Sequence, residues 1–168
     1  MPRRLRPLAV TAGLSAALLV TAALAADITR VPIPNSTFPI SQAVRVPAGT
    51  ETIYFSGLTP PAVKQDAPKD SPEAYGGDTE AQATGAFDRL GAALQAQGLG
   101  FGDVVGLRVY LVGDPAKGGK MDFAGFQSAY TKYFATATQP NKPARTTVQV
   151  AGLAAAGVFV EIEATAAK

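Results

Sequence analysis

The spacing of apolar residues changes several times along this 168-residue chain, and each change predicts a different element. Alternation over 41–46 and 51–55 predicts two short strands with a turn at 47–49 between them. Residues 27–39 contain three prolines and little periodicity, which predicts an extended lead-in. Residues 58–77 are polar and rich in Pro and Gly, so we expect a long loop, and loops of this length tend to be functional or disordered.

A helix is predicted over residues 80–97. Thr79 and Gln82 have the spacing of a capping box, and Gly98 provides a stop. The apolar residues after the cap recur at helical spacing: Ala83, Phe87, Leu90 and Leu94.

The second half of the chain predicts one strand, one helix and then a strand pair. The strand covers 104–112, and the helix follows Asp122 as a candidate N-cap. Aromatic residues mark that helix and are expected to be core rather than a binding platform: Phe123, Phe126, Tyr130, Tyr133 and Phe134. Strands are predicted at 145–150 and 158–166, connected by 152–157. The order β-β-α-β-α-β-β favours an α+β fold with a mixed β-sheet and two helices packed on one face.

The first 25 residues have the pattern of a secretory signal peptide. Arg3, Arg4 and Arg6 precede an uncharged run from Leu8 to Ala25 that ends in a small-x-small sequence. We therefore expect cleavage near Ala25, a single domain over 26–168, and a periplasmic or secreted protein. The alternative is an uncleaved membrane anchor, since the run is just long enough to span a bilayer.

Removal of this leader changes the charge balance and the partners it suggests. The chain has 15 basic and 13 acidic residues, and the leader holds three of the basic and none of the acidic ones. The remaining 12 basic and 13 acidic residues give a net charge of −1, which offers no electrostatic footprint for nucleic acid. The sequence contains no His and no Cys, which excludes a Ser-His-Asp triad and thiol chemistry and argues against a typical zinc site.

Five residues at three places in the sequence could carry chemistry, although each place has an ordinary structural interpretation. Arg145 offers a planar fork of donors that matches a carboxylate, but it could equally pair with a surface acid. Glu161 and Glu163 are expected on the same face of a strand, where they would repel unless one is paired; the plainer interpretation is a solvated strand face. Ser56-Gly57, after a strand, could contact a ligand or simply form a turn.

Several segments recur here in an order found in a known family. They are Ser41-Gln42-Ala43-Val44, Tyr54-Phe55-Ser56-Gly57, Asp122-Phe123-Ala124-Gly125-Phe126, Pro143-Ala144-Arg145-Thr146-Thr147 and Val160-Glu161-Ile162-Glu163-Ala164. Together they make residues 38–166 resemble the reactive-intermediate deaminase (Rid/YjgF) family. The two C-terminal segments are the most specific.

The resemblance implies a chorismate-mutase-like α+β fold and a homotrimer with ligand clefts between subunits. It implies hydrolysis of enamines or imines, such as 2-aminoacrylate, to 2-keto acids and ammonia, without a metal or a cofactor. Arg145 would then bind the substrate carboxylate, and Glu161 would position the attacking water. The substrate pocket would also include Ser56, Gly57, Thr147, Gln127 and Ile40.

The chain departs from the family pattern at several points. Ile40 replaces a usual Tyr, Gln127 replaces a frequent Asn, and the loop after Gly57 is longer. The leader would also take the protein away from the cytoplasm. An alternative is therefore a non-catalytic periplasmic trimer that binds a small carboxylate or a partner protein. Ribonuclease activity, attributed to some relatives, is disfavoured by the net charge of −1.

Overall fold

The computed structural model describes residues 27–168, so the predicted signal peptide at 1–25 lies outside the described residues. The strands are β1 (Thr29–Pro32), β2 (Ser41–Arg45), β3 (Thr52–Leu58), β4 (Val104–Val112), β5 (Ala144–Val150) and β6 (Val160–Ala167), and the helices are α1 (Thr79–Ala96) and α2 (Phe123–Tyr130). Within residues 27–168, no helix has both the length and the apolarity that crossing a bilayer requires.

The six strands form one mixed sheet in the order β1-β2-β5-β4-β6-β3. The central strand β4 runs parallel to β5 and antiparallel to β6. The predicted α+β fold, a mixed sheet with two helices, is therefore confirmed.

One face of the sheet is buried under the helices because apolar residues alternate along β4 and β6. Leu107, Val109 and Leu111 of β4 lie next to Ala164, Ile162 and Val160 of β6 in the register, and all six are buried. The residues predicted for the apolar side of α1 are all fully buried in the same core: Ala83, Phe87, Leu90 and Leu94. Phe126, Tyr130 and Phe134 are likewise fully buried, which confirms their predicted place in the core.

The start of α1 differs from the prediction. The N-cap is Asp78, whose side chain accepts a hydrogen bond from the N–H of Ala81 at 2.8 Å. Gln82 is fully buried and points away from the cap: its side-chain oxygen accepts from the N–H of Phe159 at 2.7 Å, and its side-chain nitrogen donates to the carbonyl of Gly157 at 2.9 Å. The predicted capping box is wrong because Gln82 satisfies backbone groups of a distant loop instead.

Strand pairing also differs from the prediction at both ends of the sheet. The last two strands do not pair with each other, because β4 lies between them. The predicted lead-in contains an additional strand, β1, which pairs antiparallel with β2 at the sheet edge. An edge position tolerates Pro32, since its missing N–H is not needed by an inner neighbour.

The long loop after β3 is anchored rather than free. It contains a 3-10 turn at Pro72–Tyr75, and Ala74 in that turn is buried. Gly157 has φ +78 and lies so close to Ser71 that a Cβ would come within 2.6 Å of the Ser71 backbone. The loop therefore packs on the β5–β6 connection.

Candidate functional site

Arg145 lies on an interior strand and faces the helices. It is next to Leu107 in the parallel register of β4 and β5, and Leu107 is buried against the helices. Because side chains alternate between the two faces of a strand, Arg145 and Thr147 share this face.

The guanidinium of Arg145 is enclosed by α2. Nη2 donates to the side-chain oxygen of Gln127 at 2.9 Å. The guanidinium carbon lies 4.3 Å from the ring centre of Tyr130 and 5.2 Å from that of Phe126. The second nitrogen, Nη1, is buried and finds no hydrogen-bond partner among residues 27–168. An unpartnered buried donor on a cation is costly, so this atom indicates a place for an anionic ligand.

Burial changes the acid–base behaviour of this region. It lowers the pKa of Arg145, and nearby Tyr130 acts in the opposite direction. Arg145 nevertheless keeps its charge at neutral pH, because a guanidinium loses its proton only in strong alkali. Burial also raises the pKa of Tyr130, whose hydroxyl donates to the carbonyl of Pro39 at 2.7 Å.

Two further rings complete what we call the arginine cluster, which consists of Arg145, Gln127, Phe38, Phe123, Phe126 and Tyr130. The guanidinium carbon lies 5.5 Å from the ring centre of Phe38 and 5.7 Å from that of Phe123. These two rings stack on each other with centres 6.4 Å apart. Phe38 is 37% exposed and forms the outer rim of the cluster.

Ile40 and Thr147 lie at the margin of this cluster. Ile40 packs partly buried against the core, and its side chain has no hydrogen-bonding group. Thr147 Oγ1 is buried and has no partner within the described part of the chain. The face of β5 that carries Arg145 thus has a second buried polar atom without a partner among residues 27–168.

Ser56 and Gly57 lie in a β-bulge of the edge strand β3. Phe55 pairs with Ala164 and Leu58 with Ile162, so Ser56 and Gly57 together occupy the space opposite one residue of β6. A bulge interrupts the ladder and re-aims the residues that form it. Ser56 and Gly57 are accordingly exposed, while Phe55 and Leu58 pack against the core.

The carboxylate of Glu161 lies directly over Gly57. A Cβ at Gly57 would come within 2.8 Å of the Glu161 side-chain carboxyl carbon and would overlap its Oε1. Only glycine leaves room for this approach. We call Ser56, Gly57 and Glu161 the glutamate cluster.

Glu163 is on the same face as Glu161 but has its own partners. Its carboxylate lies 3.4 Å from Arg108 Nη1 and accepts from the Tyr110 hydroxyl at 3.3 Å. The two carboxylates share a face, as predicted, and the pairing of Glu163 relieves part of the repulsion between them. Across residues 27–168, no three His, Cys, Asp or Glu side chains are grouped so as to hold a metal ion.

The arginine and glutamate clusters lie on opposite faces of the same sheet. Glu161 pairs with Tyr110, which alternates with the buried residues of β4 and so faces away from the helices. Arg145 and Glu161 are two strands and three residues apart in the register, or roughly 14 Å between backbones. A single chain therefore does not bring both side chains to one small molecule.

A cleft of about 570 Å³ opens where β2 separates from β5. These strands share a single residue pair, Ser41 with Ala144. Of the predicted site residues, Arg145 and Ile40 line the cleft, and its wall also includes the paired Glu163 and Arg108. Ser56, Gly57, Glu161, Gln127 and Thr147 do not line it.

Sequence reasoning missed the aromatic surroundings of Arg145. Helical spacing correctly assigned Phe126 and Tyr130 to the core, but no local pattern shows that a strand 15 or more residues later brings an arginine against them. Phe38 lies in the Pro-rich lead-in, where no periodicity marked it. An arginine in a predicted strand with no acidic residue nearby in the sequence could have prompted a search for aromatic partners.

Comparison with known proteins agrees with this architecture. Residues 33–168 match the family model described as Endoribonuclease L-PSP. Protein DfrA from Myxococcus xanthus is 38% identical over 135 residues, which cover 79% of this chain and 88% of DfrA. YyfB from Yersinia pestis, a Rid-family protein of unknown function, covers 83% of this chain and 98% of its own with a TM-score of 0.61; at 23% identity it shows the fold alone. TdcF from E. coli, solved with bound serine, is 28% identical with a TM-score of 0.54, covering 84% of this chain and 97% of TdcF.

Proposed function

This chain belongs to the Ribonuc_L-PSP (YjgF/Rid) family, and we propose that it is a hydrolytic deaminase of reactive enamine or imine intermediates. The observation that carries the proposal is Arg145, a buried guanidinium with one nitrogen held by Gln127 and the other unpartnered within residues 27–168. This arrangement suits the carboxylate of a 2-imino acid. The related TdcF was solved with serine, which also has a carboxylate beside a nitrogen-bearing carbon.

The reaction needs little beyond positioning. Water adds to the imine carbon, the C=N bond is replaced by C=O, and the nitrogen leaves as ammonia, so that imino acid and water give keto acid and ammonia. We assign carboxylate binding to Arg145. We assign to Glu161 the orientation of the water and the acceptance of its proton.

Because Arg145 and Glu161 face opposite sides of one subunit, we propose that the site is completed between subunits of a homotrimer. Arg145 of one copy would meet Glu161 of the next. The exposed side chains of Tyr54 (78%) and Val148 (40%) support an assembly that covers apolar surface.

The first experiment measures deamination by residues 26–168. Imines are generated in situ by an amino-acid oxidase, and keto-acid release is compared with spontaneous hydrolysis. We expect Arg145→Ala to lower kcat/KM by about 10²- to 10³-fold, because it removes the partner of a buried carboxylate. Wild-type protein that fails to accelerate release from any imine would refute the deaminase assignment.

A mixing experiment tests the shared site directly. Arg145→Ala and Glu161→Gln chains are co-expressed with different tags, and mixed trimers are purified. A site between subunits needs an intact Arg145 from one chain and an intact Glu161 from its neighbour. Random mixing restores roughly a quarter of the sites in a cyclic trimer. A site within one subunit regains nothing, so the absence of recovery would refute the intersubunit assignment.

Ile40 favours a second candidate, a trimer that binds a small carboxylate without turning it over. Its side chain cannot hydrogen-bond a substrate where the family usually has a hydroxyl. Glu161→Gln separates the two functions, because it keeps the shape and removes the charge. A deaminase would lose about 10²- to 10⁴-fold in kcat, whereas a binding protein would bind 2-keto acids with unchanged affinity and show no turnover in either form.

We also propose that the protein is exported by its leader. The arginines at the start, the apolar run and the small residues before Ala26 support this. Mass spectrometry of protein from the periplasmic fraction should find a chain that begins near Ala26. A chain that keeps its first residues in the membrane fraction would instead support the anchor.

A further inference from the structure

Glu161, to which we assign the water, lies near the start of its strand, and this inference rests on the proposed function. On one side, β6 pairs with β4 as far as Val160. On the other side, its pairing with β3 ends at Ile162, opposite Leu58. Within residues 27–168, Glu161 therefore has a strand neighbour on one side only. Its position depends on what holds the chain just before it.

The chain just before Glu161 is held by Gln82 of α1, which is fully buried. The side-chain oxygen of Gln82 accepts from the N–H of Phe159 at 2.7 Å, and its side-chain nitrogen donates to the carbonyl of Gly157 at 2.9 Å. The carbonyl of Phe159 accepts from the N–H of Val112 at 2.9 Å. The backbone of Phe159 is thus fixed between α1 and β4, two residues before Glu161.

The connection that leads into β6 is otherwise mostly at the surface. Residues 151, 152 and 154–156 are exposed. Its close approach to the long loop, at Ser71, is made by Gly157, which Gln82 also holds. A buried amide is costly unless its oxygen and its nitrogen both have partners. Movement of residues 157–159 would break both bonds, so Gln82 opposes that movement.

We propose that Gln82 is a positioning residue for the reaction. It holds the start of β6, so that the carboxylate of Glu161 stays over Gly57. A displacement of about 1 Å at a reacting group can cost roughly 10²-fold in rate, even when its cause lies away from the chemistry. Arg145 is held by β5 and α2, so binding of the substrate carboxylate should not depend on Gln82.

The test compares turnover with binding in Gln82→Met, which nearly keeps the size of the side chain and removes both hydrogen bonds. We expect kcat to fall by about 10- to 50-fold, because Glu161 is no longer held in place. The Kd of pyruvate, a product-like 2-keto acid measured by calorimetry, should stay within about twofold of the wild type. A Kd that rises as much as kcat falls would overturn the assignment to Glu161.

Gln149→Met is the control for the loss of two backbone contacts. The side chain of Gln149 accepts from the N–H of Met121 at 2.8 Å and donates to the carbonyl of Gly119 at 2.9 Å. These residues precede α2 rather than β6, so kcat should stay within about threefold of the wild type. An equal fall in kcat in Gln149→Met and Gln82→Met would indicate general loosening and overturn the proposal.

A double-mutant cycle separates positioning from a loss of stability. If Gln82 acts through Glu161, Gln82→Met should cause no further loss of kcat in a Glu161→Gln background. The same loss in both backgrounds would contradict the proposal. Gln82→Asn, which is neutral and one methylene shorter, is the second variant if Gln82→Met does not fold. Failure of both to fold would make Gln82 a purely structural residue and overturn its positioning role.

Amide hydrogen exchange gives a readout that needs no turnover. Gln82→Met should speed exchange at residues 160–162 by about tenfold or more and leave residues 145–147 of β5 unchanged. This pattern without turnover by the wild type would refute the deaminase assignment alone and leave the anchoring of β6 by Gln82 intact. Unchanged exchange and unchanged kcat in Gln82→Met, with an active wild type, would refute the positioning role alone.

Discussion

Arg145 lies on an interior strand among rings that belong to the core, whereas Glu161 lies beside an edge strand over a glycine. Tyr130 and Phe126, which flank the guanidinium, are fully buried. Glu161 is instead positioned by the absence of a side chain at Gly57. The orientation of Arg145 is fixed by packing within the chain, while Glu161 is half-buried and depends on the space left free at Gly57.

This difference suggests that Arg145 and Glu161 have separate roles. A group that binds the substrate benefits from a rigid surround, because little freedom is lost on binding. A group that handles water must remain accessible until the site is complete. Substitutions near Arg145 should therefore change binding and stability together, and those near Glu161 should change turnover alone.

Among the residues that position Arg145 and Glu161, the largest effect is expected from Gly57→Ala. The new methyl group would overlap the Glu161 carboxylate and displace it, and a displacement of about 1 Å can cost roughly 10²-fold in rate. Thermal unfolding should change little, because Gly57 is exposed and its clash is with the movable end of a side chain. Steady-state kinetics and a melting curve check both expectations.

Gly152→Ala is the matched control, since a Cβ there meets nothing within 4 Å. It should keep wild-type turnover. If Gly57→Ala were as active as Gly152→Ala, the close approach of Glu161 to Gly57 would have no catalytic role.

An intermediate effect is expected from Gln127→Glu. A carboxylate beside Nη2 would pair with Arg145 and compete with the substrate carboxylate, so KM and the Kd of keto acids should rise by about 10- to 50-fold. Gln127→Ala should raise them less, because it removes the orienting bond without adding charge.

The exposed helical residue Gln95 provides the control, as Gln95→Glu adds the same charge to α1. Its KM should match the wild type. A larger increase in KM for Gln127→Ala than for Gln127→Glu would contradict the expected competition between the new carboxylate and the substrate.

The smallest effect is expected from Tyr130→Phe. The loss of the hydrogen bond to Pro39 should lower the free energy of unfolding by about 1 kcal/mol at pH 7. Burial raises the pKa of Tyr130 in the folded protein, so above about pH 10 the unfolded state loses this proton first and stability falls. Phenylalanine has no proton to lose, and the difference in stability from the wild type should narrow as the pH rises.

Urea unfolding at pH 7, 9 and 11 measures that difference. A gap that stays constant up to pH 11 would show that Tyr130 does not contribute to the alkaline sensitivity of the arginine cluster.

The sequence predicted the elements well because each was locally specified. Strand β4 was predicted from the alternation of Leu107, Val109 and Leu111, and α1 from the helical spacing of Phe87 and Leu90. The order of the strands in the sheet was harder to predict, because pairing between β4 and its partners depends on contacts distant in sequence.

The resemblance named the candidate site residues one by one, but it did not predict that Arg145 and Glu161 lie on opposite faces of the sheet. Whether Arg145 and Glu161 share a face depends on register across three strands, which no local pattern contains. The prediction of Gln82 as part of a capping box was wrong for a related reason. Its partners, Gly157 and Phe159, lie in a loop 75 or more residues away.

The bulge at Ser56 and Gly57 also bears on solubility. A chain with one residue fewer between Phe55 and Leu58 would keep both side chains on the inward face, since they already pair with Ala164 and Ile162. Folding therefore does not require the extra residue. Its removal would straighten the outer edge of the sheet into a continuous row of unpaired N–H and C=O groups, which attracts strands of other molecules. We expect such a deletion to fold and then to aggregate, which light scattering at increasing concentration would detect.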